Sequence, residues 1–343
     1  MDKPTYSVGK VVFGNEAQIR ASLEKFHAHE IDEVRLSESS AAPFPEVRRT
    51  LAKEVSVSGV GTFRGSESQT LTFAPSDKPG WWIRRMDIPE QLDTAVDIAN
   101  LWTSAQNLVL RSGSPHNYLR MVEHIIALRA GLGLDDVVLK VNSGDPPLFD
   151  RSSLPLVEAV EEAGIVETAK PATYTFVKEP VAFGGTRGDF LLFLPPAPGS
   201  HTLRIDCAIS WNTIIQKQRV LFDATADTFR YASFARTNAT HRQYVLAKTI
   251  GKLFAATRNL GYDDKNILIH GPKKYYTEPR FPHEGKFLEP IWHRATLDLM
   301  AALSLTGPHR FIGTVVSYRA GHTLDCDAVR ALYRNNLLCT SSN

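Results

Sequence analysis

SPHNYLRMVEHIIALRAGLG, residues Ser114 to Gly133, is the stretch around which the chain is organised. Ser114 is suited to capping a helix, Pro115 to its first position, and Gly131 or Gly133 to its end. Leu119, Val122, Ile125, Ile126 and Leu128 recur at roughly helical spacing, so the pattern predicts a helix with one buried face. Within that apolar run stand Glu123 and His124. A carboxylate and an imidazole are costly to bury unless something pairs with them. Two readings stay open from this stretch alone. In one the pair sits at a rim, with Glu123 solvated and His124 hydrogen-bonded to a carbonyl. In the other His124 is a metal ligand beside Glu123 as a general base.

Composition sets the outer bounds. The 343 residues suffice for two domains of ordinary size, and 43% hydrophobic with 22% charged content describes a globular protein. A net charge of +2 does not argue for a nucleic-acid partner. Three scattered cysteines, Cys207, Cys326 and Cys339, argue against a disulfide framework or a cysteine zinc site and fit a reducing compartment. No signal-peptide pattern opens the chain and no apolar run reaches membrane-spanning length, so the expected location is the cytoplasm.

Residues 1–48 read as an appended unit: a strand near Val8 to Phe13, a helix capped by Asn15, a second strand at Glu33 to Leu36, and a linker from Ser37 to Pro45. Strands at 54–58, 68–73 and 80–87 then precede the Ser114–Gly133 stretch, and a strand at 136–141 and a helix at 154–163 follow it. A similar order returns after residue 173. Strands run to residue 222, a basic helical stretch covers 241–260, a long helix covers 291–305, and a strand at 311–317 and a closing helix at 325–333 complete the chain. The expectation is an α+β fold of two similar α+β domains, 49–172 and 173–343, without a convincing sequence repeat.

Polar residues collect at three further places: His293-Arg294 with Asp298 in the long helix, Arg236-Thr237 after a helix, and Ala320-Gly321-His322 in a presumed loop. Each has an ordinary alternative as a solvated face, a cap or a loop residue.

These residues, taken together with several others, resemble the UDP-3-O-acyl-N-acetylglucosamine deacetylases, the zinc amidases of lipid A synthesis. The motifs are Gly59-Val-Gly-Thr-Phe-Arg-Gly65, Arg84-Arg-Met-Asp87, Met121-Val-Glu-His-Ile125 with Ala130-Gly-Leu-Gly133, and Pro146-Pro-Leu-Phe-Asp150. In the second half they are Ala235-Arg-Thr237, Glu289-Pro-Ile-Trp-His-Arg294, Leu297-Asp298 and Tyr318-Arg-Ala-Gly-His322. The resemblance spans about residues 49–335; its specificity lies in the order and spacing of the motifs. It implies two α+β domains with the active site between them, one Zn²⁺ and an acylated nucleotide-sugar substrate. It implies His124 and Asp298 as metal ligands with His293 as the third, Glu123 as general base, His322 as the cation at the oxyanion or leaving amine, and Thr237 as a donor to the tetrahedral oxygen. Arg294 stands where the family carries a phosphate-facing lysine. Transient membrane contact by a protein with no transmembrane segment is compatible with such a substrate.

The departures from the family pattern matter as much. The family spaces its two ligands His-x-x-x-Asp, whereas His293 and Asp298 are five apart, about 140° round a regular helix. One alignment puts Arg294 on the ligand position. The other keeps His293 there and absorbs the inserted residue in a π-bulge. Ala302 replaces the aspartate that supports the catalytic histidine, which predicts a lowered pKa for His322, and Asn238 replaces an aromatic residue. A non-catalytic relative that keeps the fold is the alternative these departures suggest.

Overall fold

The computed structural model describes residues 3–37, 42–253 and 260–342. Of the expected basic helical stretch, residues 254–259 lie outside that range, as do residues 38–41 of the linker. Two sheets built on one plan hold the molecule together. In the first half the strands Val55–Gly61, Ser68–Pro75, Trp81–Arg85 and Thr94–Ala95 follow one another. A fifth, Val137–Val141, arrives after a helix and inserts between the second and third, antiparallel to one and parallel to the other. In the second half Val181–Gly184, Phe190–Leu194, Leu203–Ser210 and Lys217–Asp223 play the same parts, and Gly313–Tyr318 inserts in the same way. The inserted strand follows the helix Glu123–Leu132 in one half and the helical run 289–303 in the other; a further helix, Leu154–Ala163 or His322–Arg334, closes each half. The duplication expected from element order is therefore present in topology, with no trace in the letters.

The inward faces of both sheets and the helices of both halves share one apolar core, from Leu71, Phe73 and Ile83 through Ile125, Ile126 and Met300 to Phe183, Phe193 and Val315. The outward faces differ. On the first sheet Ser56 meets Thr72 and Ser58 meets Thr70, hydroxyl pairs that tolerate water. On the second sheet the alternate residues Ala182, Phe190, Leu192, Ala208 and Val316 are apolar, and they need a cover.

Residues before the linker supply that cover. The helix Glu16–His27, capped by Asn15 as expected, lays Ile19, Leu23 and Phe26 on this face. The flanking strands Lys10–Phe13 and Glu33–Arg35 add to opposite edges of the sheet, each in parallel pairing. A fully buried Arg219–Asp206 pair lies beneath; its guanidinium also donates to the carbonyl oxygens of Phe26 and His29 at the helix end. A charge buried on the sheet thus holds the end of the covering helix.

The Ser114–Gly133 helix starts eight residues later than the pattern predicts, at Glu123 instead of Pro115. Ser114 caps only a turn, and Tyr118–Leu119 is a short strand paired with Val109–Arg111. Arg85 explains the difference: its Nη1 donates to the carbonyls of His116 and Tyr118, holding the segment extended. Met121 then takes a φ of 52°, which turns the chain sharply into the helix. Glu123 and His124 are accordingly the first residues of a helix, not its middle. His322, expected in a loop, likewise opens the closing helix.

Two outcomes follow. Phe26→Ala should cost about 3–5 kcal/mol in denaturant unfolding and make residues before the linker protease-sensitive. The second concerns His29. Burial, aided by Lys217 and Arg219, pushes its pKa down to about 4. The native chain keeps it neutral while the unfolded chain takes up a proton below about 6.5, so its contribution is intact at neutral pH and lost as pH falls from there towards 4. A Tm–pH profile of His29→Gln should be flatter than that of the wild type across this window.

Candidate active site

The helix Glu123–Leu132 and the helical run 289–303 pack against each other across the two halves. The polar residues singled out in the sequence meet where they face each other. His124 Nε2 and His293 Nε2 are 3.3 Å apart, and Thr237 Oγ1 lies 2.9 Å from the first and 3.1 Å from the second. Asp298 Oδ1 is 3.5 Å from His293 Nδ1 and 3.5 Å from His322 Nε2, which in turn is 4.0 Å from Glu123 Oε1. Six of the seven residues expected at the site therefore form one contiguous cluster.

The spacing of His293 and Asp298 is resolved by the backbone. Residues His293–Leu299 form a π-helical segment between the α-helical turns Glu289–Trp292 and Met300–Leu303. In a π-turn hydrogen bonds run over five residues, and residues so spaced return to one face. His293, not Arg294, faces the site.

Arg294 corrects its expected role. It is buried and turned away from the cluster, with Nη2 2.6 Å from Asp325 Oδ1, Nε donating to the carbonyl of Ala320 and Nη2 to Ser317 Oγ. Instead of facing a phosphate it ties the π-segment to the turn that presents His322. Burial works against its charge, yet Asp325 more than compensates and raises its pKa.

The expectation for His322 is also reversed. Burial opposes its charge, but Asp298, Glu123 and Asp325 outweigh that and raise its pKa. Asp298 thus supplies the carboxylate that Ala302 lacks, from a position one helical turn earlier. Despite burial, His322 and His293 hold the Asp298 carboxyl well below its usual range. Burial, with His293 close by, lowers His124 to about 3, so its imidazole is neutral and available as a ligand. Burial raises the Glu123 carboxyl, while the Leu108 N–H, 3.0 Å from Oε2, favours its ionised form.

Supporting contacts invisible in the sequence hold these groups. Ser153 Oγ donates to the His124 carbonyl at 2.9 Å and lies 3.4 Å from its Nδ1. Glu289, one turn before His293, accepts from the Arg236 N–H and side chain and from the Arg280 N–H. That grip fixes the Arg236–Thr237 turn over His293. Trp292 Nε1 donates to Glu33 Oε2 at 2.8 Å, so the strand Glu33–Arg35 braces the residue beside His293. The Asp325 partnership of Arg294 spans two elements, and no local pattern signals it.

The donor set suits a divalent ion. Two imidazole nitrogens each about 2.0–2.1 Å from a tetrahedral zinc stand about 3.3 Å apart, as the two Nε2 atoms do. Asp298 Oδ1 is buried between the His293 and His322 imidazoles at 3.5 Å with no close hydrogen bond to either, a carboxylate oxygen suited to a cation. Among the described residues no three His, Cys, Asp or Glu side chains already converge on one point. The residues fit a zinc ion in kind and in the spacing of the histidine pair.

A family model described as UDP-3-O-acyl N-acetylglycosamine deacetylase matches residues 48–334. Relatives called UDP-3-O-acyl-N-acetylglucosamine deacetylase from Brucella ovis, Brucella canis and Brucella abortus are 27% identical over 289 residues, 83% of this chain and 94% of theirs.

The role of Arg294 is open to a direct test. Arg294→Ala should destabilise the protein by about 3–5 kcal/mol in urea unfolding by leaving Asp325 buried and unpaired. Arg294→Met combined with Asp325→Leu should recover most of that loss.

The motifs, their shared geometry and the matched span together place this chain in the UDP-3-O-acyl N-acetylglycosamine deacetylase family.

Proposed function

We propose that the protein is a zinc-dependent amidase that removes the N-acetyl group from an acylated UDP-N-acetylglucosamine in the cytoplasm. The observation that carries this reading is the meeting of His124 and His293 Nε2 at 3.3 Å beside the buried Asp298 carboxylate, with Glu123 and His322 in the same cluster. His124, His293 and Asp298 would hold the ion. When bound, zinc supplies an acidified water and polarises the amide carbonyl.

The chain's own residues do the rest. Glu123, at the first position of its helix and steadied by the Leu108 N–H, accepts the proton of the attacking water. The Thr237 hydroxyl, held over the histidine pair by the Glu289–Arg236 grip, donates to the oxygen that gains charge as the carbonyl becomes tetrahedral. His322, whose charged form its carboxylate neighbours favour, protonates the amine as the C–N bond breaks, leaving acetate and a free amine. Two departures that suggested a non-catalytic relative have a structural account: Arg294 braces the site from behind, and Asp298 serves His322 in place of Ala302.

Metal analysis and turnover test the proposal together. The purified protein should carry about one zinc per chain, lost in His124→Ala and His293→Ala. Glu123→Ala should keep the metal and lose roughly 10²–10⁴-fold in deacetylase kcat. A metal-free wild type without amidase activity would overturn it.

A further inference from the structure

The short helix His241–Lys248 begins four residues after Thr237 and differs from every other helix described here in having no buried side chain. A helix this short is marginal without packing. It persists through a reciprocal capping box, in which Thr240 Oγ1 accepts from the Gln243 N–H at 3.2 Å while Gln243 Oε1 accepts from the Thr240 N–H at 2.9 Å. Tyr244 and Ala247 are half-buried against the neighbouring strands, but the aliphatic residues beside them do not turn inward. Val245 is 41% exposed, Leu246 43%, and Ile250, just beyond the helix, 53%. Single exposed aliphatic side chains are common, but three within six residues, two on the helix and one just beyond it, form a patch.

The surroundings of the patch indicate what covers it. Arg242, exposed, precedes Leu246 by four residues, so both lie on one side of the helix. Tyr276, 46% exposed, stacks on His241 with ring centroids 4.0 Å apart. The Lys274 ammonium sits 4.7 Å from the Tyr276 ring centroid. Between residues 238 and 278 the chain carries seven Lys and Arg against three Asp and Glu. Aliphatic side chains with Arg242 and Lys274 beside them and a tyrosine at the boundary suit a bilayer surface: the aliphatics enter the acyl boundary, the tyrosine rests at headgroup level and the cations meet anionic phosphates.

We infer that the His241–Lys248 helix, with Ile250 and Tyr276, is a docking surface for an anionic lipid bilayer. The strand Asn238–Thr240, paired in parallel with Leu268–His270, joins this surface directly to Thr237. A protein so docked presents its reactive cluster close to the membrane surface. The surface is read from its own side chains and does not depend on the amidase reaction.

The test is co-sedimentation of the full-length protein with vesicles of equal parts phosphatidylglycerol and phosphatidylethanolamine, and with vesicles of phosphatidylcholine alone. The wild type should pellet with the anionic vesicles and far less with the neutral ones, and added salt should weaken binding. Leu246→Ser with Ile250→Ser should lower the vesicle affinity by at least about tenfold. Trp102→Ser, at an exposed aromatic residue in the other half, should leave it unchanged. Equal pelleting with both vesicle types overturns the inference, as does an unchanged affinity in the double variant. It is also overturned if the double variant alters only self-association in sedimentation velocity, because the patch is then a protein interface. Turnover on a short-chain, micelle-free substrate should stay at the wild-type level in the double variant. Loss of vesicle binding with retained turnover separates this surface from the reaction, and vesicle binding by a protein without turnover leaves the surface standing while the amidase reading fails.

Discussion

A helix buried on every side has no free direction in which to turn. The run 289–303 packs Ile291, Trp292, Leu297, Met300 and Leu303 into the shared core, so rotating any part of it would drag apolar side chains towards polar surroundings. The five-residue spacing of His293 and Asp298 therefore cannot be brought onto one face by rotation. It is accommodated by widening the helix, and the π-segment His293–Leu299 keeps both the core residues and the reactive face in place. The surrounding cluster depends on that adjustment. Asp298 meets both His293 and His322, and Arg294, displaced to the rear, pairs with Asp325.

Electrostatics and packing reinforce each other around this helix. Ionised Asp298 is stabilised by two imidazoles, and its charge, with those of Glu123 and Asp325, favours the cation at His322. The charges lie in a buried setting where each interaction counts for more than in water. Their positions come from contacts at the ends of elements: Glu289 on Arg236, Ser153 on His124, the Leu108 N–H on Glu123 and Glu33 on Trp292. The four brackets come from different parts of the chain, and each leaves its reactive neighbour little freedom.

Much of this was legible in the letters. The α+β order, the family motifs and six site residues were recoverable because they rest on local periodicity and on short runs of fixed spacing. The start of the helix at Glu123 was not. Leu119 and Val122 continue the helical pattern, and only the distant Arg85, by binding two carbonyls, extends that segment. The burial of Arg294 was illegible for the same reason: its partner Asp325 lies thirty-one residues away on another element. The carboxylate neighbour of His322 was sought one turn too late, at Ala302, because the aspartate present serves both histidines at once. Local patterns record periodicity and turn chemistry; they do not record which carboxylate a buried cation reaches across the fold.

The cover on the second sheet has a consequence for how the chain comes to be folded. The strands Lys10–Phe13 and Glu33–Arg35 are made first, yet their partners Val181–Gly184 and Lys217–Asp223 lie far downstream, and the sheet is complete only with Gly313–Tyr318. At about 5–20 residues per second the ribosome needs roughly 15–60 s to deliver that last strand. Throughout that time Ile19, Leu23 and Phe26 have no sheet to cover. A segment made well before its sheet is therefore among the last to find its place, and in the meantime its apolar side chains are for chaperones to hold.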